Sequence, residues 1–113
     1  MSLHSLIDEI VRTHQKDPRN KVFVSEPVLL ASVAEEVGVQ ISSAKLIELI
    51  ENYQNGSLDD ESEELYDGAI YACSEVARRC FGDDPDDEDE EVDHEVSWIE
   101  NEDGSYAAEV RPY

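Results

Sequence analysis

The 113-residue chain predicts a small α+β domain, mostly helical, with four helices and a C-terminal β-hairpin. Three observations carry that assignment. Apolar residues recur at helical spacing in four stretches between Leu3 and Cys80, each bounded by capping or helix-stopping residues. From His94 onward the pattern changes to alternation about an Asp103-Gly104 turn. Hydrophobic residues make up 40% of the chain, enough for one modest core. The expected organisation is a single domain over residues 1–113. It divides into a helical half (1–56), a long acidic helix (57–82), an acidic segment (83–93) and the hairpin (94–113).

Leu3, Leu6, Ile7, Ile10, Val11 and His14 place an amphipathic helix over residues 3–16, with Ser2 as N-cap and Asp17-Pro18 as its stop. His14 closes the apolar stripe as a boundary residue. Lys21 to Ser25 is a short β-prone run. Ser25 then caps a helix opening on Glu26-Pro27, with Leu29, Leu30, Val33, Ala34 and Val37 on its buried face and Gly38 at its end. Ser42 or Ser43 caps the third helix, whose stripe is Leu46, Ile47, Leu49, Ile50 and Tyr53. Asn55-Gly56 terminates it.

Ser57 is expected to open the longest helix, over residues 58–81, through an approximate capping box with Asp60. Leu65, Ala69, Ile70, Cys73, Val76, Ala77 and Cys80 form its apolar stripe. Cys73 and Cys80 sit seven residues apart on one helix, about 10 Å at ~1.5 Å per residue, too far for a disulfide. Reduced core thiols fit a cytosolic chain. In the hairpin, a three-residue loop (Glu102-Asp103-Gly104) pairs Trp98 with Ala108 and Val96 with Val110. That register gathers Val96, Trp98, Tyr106, Ala108 and Val110 on one face, with Trp98 as the anchor on the helices.

Charge is the outstanding property. Twenty-nine acids against eight bases give a formal net charge of −21. Residues 1–55 carry eight acids and five bases, whereas residues 56–113 carry twenty-one acids and three bases. Two features hold the excess. Asp59, Asp60, Glu61, Glu63, Glu64 and Asp67 crowd the first turns of the long helix, where the helix dipole accounts for one or two acids but not six. Over about 13 Å of axis they give one charge per ~2 Å, close to the ~1.7 Å of duplex DNA. Asp83, Asp84, Asp86, Asp87, Glu88, Asp89, Glu90 and Glu91 then dominate a run, closed by Asp93, with no base in it. Such a run repels itself and is expected to be extended and solvated, at one charge per ~4 Å.

Residues Val33 to Ile47 resemble a helix-turn-helix, with Ala34, Gly38 and apolar Val33, Val37, Val39 and Ile47 in the places that motif uses. Its second helix should present basic or amide side chains to a major groove. Here Gln40, Ser42, Lys45, Leu46, Glu48 and Leu49 offer one base, so the pair is expected to be a packing unit without direct nucleic-acid binding. In composition the chain is similar to acidic DNA-mimic inhibitors, such as phage proteins that block restriction, CRISPR or other defence enzymes. The likeness is one of composition and not of motif.

Other chemistry finds little support. An EF-hand loop with Gly104 sixth would run from Ile99 to Val110, where carboxylates are required, and the acidic run has no turn glycine. Cys73, Cys80, His4, His14 and His94 lack zinc-ligand spacing. No phosphate-cradling glycine loop or nucleophile–base pairing stands out, and a dense exposed carboxylate run cannot tune one group for catalysis. We therefore expect no enzyme, cofactor, specific metal site or membrane span, and no signal peptide, since Asp8 and Glu9 interrupt the first apolar run.

The resulting expectation is a cytoplasmic binding protein (in the host cytoplasm, for a phage chain) that inhibits a basic nucleic-acid-binding protein through the fourteen acids named above. Defence nucleases, CRISPR effectors and restriction effectors are the partner types. Three other classes share features with it. They are an immunity protein for a nuclease toxin, a helix-turn-helix-derived adaptor binding through residues 40–53, and a halophile domain. The halophile reading would spread acids over both halves of the chain.

Overall fold

Ser2, Ser42 and Asp59 each accept a hydrogen bond from a backbone N–H three residues on, and each starts a helix. The computed structural model describes residues 2–82 and 92–112. Its elements run α1 (Leu3–Lys16), β1 (Val22–Val24), α2 (Glu26–Glu36), α3 (Ser43–Asn55), α4 (Asp60–Phe81), β2 (His94–Glu100) and β3 (Tyr106–Pro112). The α+β class, four helices and C-terminal hairpin agree with the sequence reading.

One boundary differs from expectation. Ser57 does not open α4. Its N–H bonds to Asn52 O at 2.8 Å and closes the end of α3, where Gly56 takes the left-handed conformation (φ 71°). Asp59 is the N-cap instead, accepting from Ser62 N at 2.8 Å. Ser25 stands at the N-cap of α2 but makes no side-chain capping bond.

The hairpin register is the expected one, with Trp98 opposite Ala108 and Val96 opposite Val110. Asn101 N bonds Ser105 O across the three-residue loop, and Gly104 takes φ 89°. The sequence left the pairing of the Lys21–Ser25 run open. Its central residues form β1, a third strand antiparallel to β3, giving the order β1-β3-β2. Val22 and Val24 lie opposite Val110 and Ala108, so all four join the inner face and are buried.

Helix α4 packs against every other element. Its contact with α2 is close because position 68 is glycine. A Cβ there would lie 2.6 Å from Val37 Cγ2 and 3.5 Å from the Val33 backbone. Ser32, fully buried on α2, donates to the Gly68 carbonyl at 2.5 Å. The buried face of α2 is therefore Val28, Leu29, Ser32 and Val33, while Leu30, Ala34 and Val37 are only partly covered. On α4 the core also takes Tyr66 and Ala72, which the predicted stripe omitted, and leaves Ile70 and Cys80 at its margin. Arg79 ties α4 to α1 through Asp8 at 2.5 Å. No described helix is long and apolar enough to cross a membrane.

Candidate functional site

The acidic turns of α4 are laid out by helix geometry. Asp60, Glu64 and Asp67 follow at i, i+4 and i+7, so they line one ridge, and Tyr71 continues it. Glu63 lies to one side, on the flank that carries Tyr66. Glu61 lies to the other, on the flank of Gly68 that faces α2. Asp59, Asp60, Glu61, Glu63, Glu64 and Asp67 are all exposed. Asp59 differs from the rest because it is also a cap. The hydrogen bond from Ser62 holds its carboxyl below the usual value, with a smaller contribution from Lys45.

The positive charges are spent elsewhere. Arg19 pairs with Asp17, Lys45 with Glu48, Arg78 with Glu75, Arg79 with Asp8 and Arg111 with Glu109. Among the described residues, no Lys, Arg or His comes within ion-pair distance of Asp60, Glu61, Glu63, Glu64 or Asp67. One ridge of α4 thus presents uncompensated negative charge on a rigid, core-anchored helix. Asp83, Asp84, Asp86, Asp87, Glu88, Asp89, Glu90 and Glu91 lie outside the described residues.

Beside the ridge stands an aromatic cluster that the sequence did not single out. Tyr53 of α3 stacks on Tyr66 of α4, with centroids 4.4 Å apart and planes 13° from parallel. Tyr66 meets Trp98 edge-on at 6.0 Å, and its hydroxyl accepts the indole N–H at 3.1 Å. Burial raises the Tyr66 phenol well above its usual range, so it stays neutral. Trp98 is partly exposed and packs on the core through this contact, while Tyr53 is half exposed.

Comparison with models of known families, with curated proteins and with solved structures finds no match. Burial pushes the Cys73 thiol up to about 12 and the Cys80 thiol to about 11, so neither is a thiolate at neutral pH. Among the described residues, no group of three or more His, Cys, Asp or Glu is disposed to hold a metal ion. A cleft of about 500 Å³ lies between α1 and β1, lined by Leu6, Ile10, Val22 and Phe23. Its Arg19 and Asp17 neutralise each other, and Lys21 lies over the Phe23 ring.

Proposed function

We propose that the protein binds a basic, nucleic-acid-handling protein and blocks it by presenting nucleic-acid-like charge. The observation that carries this reading is the ridge Asp60–Glu64–Asp67, with Glu61 and Glu63 on its flanks. These carboxylates are exposed and, among the described residues, unpaired, while five of the eight basic side chains are ion-paired elsewhere. A groove lined with Lys and Arg is attracted to such a ridge from a distance, and association is fastest at low salt. The helix holds the charges in place before contact, so little ordering entropy opposes binding there. Charge on residues 83–91 adds to the long-range attraction.

Affinity capture with the full chain from native-host lysate, read by mass spectrometry, supplies the partner. The expected partner is basic and binds nucleic acid. Its own DNA or RNA should compete with this chain for it, and substitution of Asp60, Glu63, Glu64 and Asp67 by amides should weaken capture. A partner that binds nucleic acid and this chain simultaneously, with no competition, would overturn the reading.

A further inference from the structure

We propose that the open ring face of Tyr53 is a stacking platform for an arginine guanidinium of the partner. The proposal rests on the reading that the partner is basic, and adds which cation it uses and where.

The ring is already built for this. Its inner face lies on Tyr66, which is buried and held by Trp98, so the pair is fixed before any partner arrives. Tyr53 itself is 50% exposed, which leaves its outer face to solvent. That face carries the negative side of the ring quadrupole. Guanidinium is planar, weakly hydrated and able to lie flat on it. Ammonium is compact and strongly hydrated, and gains less. Glu63 is three residues before Tyr66 on the same flank of α4, exposed and, among the described residues, without an ion-pair partner. Its carboxylate adds negative charge to the flank of α4 that carries Tyr66, which favours a cation there.

The molecule shows the contrasting case at Phe23. That ring is also 50% exposed, but Lys21 Nζ of the same chain lies 5.7 Å from its centroid. Among the described residues no cation lies over Tyr53. A nucleobase is planar too, but it would bring phosphates against a chain of net charge −21. Charge therefore selects arginine.

The test uses nona-arginine and nona-lysine peptides as probes, titrated calorimetrically into the full chain at low and at physiological salt. The wild-type chain should prefer the arginine peptide. Tyr53→Leu keeps apolar cover over Tyr66 but removes the π-face. It should lower the arginine-to-lysine affinity ratio by about two- to fivefold, the exposed cation–π range. Tyr53→Phe and Phe23→Leu should leave the ratio unchanged. In the complex, arginine side-chain protons should shift upfield through the tyrosine ring current, and this shift should vanish in Tyr53→Leu. A ratio that Tyr53→Leu leaves intact overturns the platform, while salt-dependent binding of both peptides leaves the charge reading standing. Binding of neither peptide at low salt overturns both.

Discussion

The Ser32 hydroxyl donates to the Gly68 carbonyl at 2.5 Å, joining α2 to α4 at a fully buried point. A polar group inside an apolar stripe is tolerated there because it has a partner, and the partner is reachable because residue 68 has no side chain. Everything α4 presents to solvent depends on this seating.

Gly68→Ala tests the seating directly. Alanine gains about 1 kcal/mol of helix propensity. Against that, its Cβ would press a methyl of Val37, whose branched side chain has few alternative rotamers. Overpacking of that kind costs roughly 1–3 kcal/mol, so a net loss of up to about 2 kcal/mol is expected in urea denaturation. Ser32→Ala should cost about 1 kcal/mol, since the Gly68 carbonyl loses one of its acceptor contacts. A Gly68→Ala chain more stable than the parent would mean that Val37 moves freely and the close approach is incidental.

What could be read from the sequence was whatever period, caps and turn chemistry decide locally. The ends of α1 and α3 and the pairing of Trp98 with Ala108 are of this kind. The pairing of β1 with β3 was not legible, because three residues carry little register information and the partner lies far along the chain. Ser32 was missed because a hydroxyl reads as a solvent-facing residue until Gly68 is seen opposite it. Tyr53 was placed in the core stripe of α3 on spacing alone, yet half of it is exposed. Stacking on Tyr66 depends on how α3 and α4 meet, which periodicity does not contain. The acids in the first turns of α4 were legible as charge, but that they have no ion partner among the described residues required the structure.

The Asp8–Arg79 pair should make part of the stability pH-dependent. The Arg79 hydrogen bond holds the Asp8 carboxyl below its ordinary 3.8. A carboxylate with a depressed folded-state value contributes fully above 3.8, and that contribution is lost as pH falls through the lower folded value. Asp8→Asn should therefore lower Tm at neutral pH and narrow its gap to the parent in strong acid. Parallel Tm–pH curves would show that the pair contributes nothing.

Trp98 should report the aromatic cluster. Its indole is partly exposed and hydrogen-bonded to Tyr66, so its emission should be blue-shifted from free tryptophan but partly quenchable by acrylamide. A neutral quencher is needed because a net charge of −21 repels iodide. Tyr66→Phe removes the acceptor of the indole N–H and should cost about 1–2 kcal/mol while altering the emission. An emission spectrum identical to free tryptophan in the folded chain would sink this packing.

The ridge of α4 should be stabilised by removing the charges that the proposed function uses. Glu64 and Asp67 lie past the first turn, where the helix dipole no longer favours acids. Glu64 stands three or four residues from Asp60, Glu61 and Asp67, and Asp67 stands four from Glu63. Like charges at these spacings cost about 0.2–0.5 kcal/mol per pair. Glu64→Gln with Asp67→Asn should therefore gain about 1 kcal/mol in urea denaturation at low salt, and less at high salt as screening takes over. Asp59→Ala is the opposite case. It removes the cap on Ser62 and should cost about 1 kcal/mol at either salt. Against the captured partner, the double amide variant should dissociate faster and associate more slowly, so that stability rises while binding falls. On the proposed reading these acids are kept for contact at a cost to the fold. If the double variant were instead destabilised, the carboxylates would be serving the helix, and the observation that supports the charge-mimic reading would lose its force.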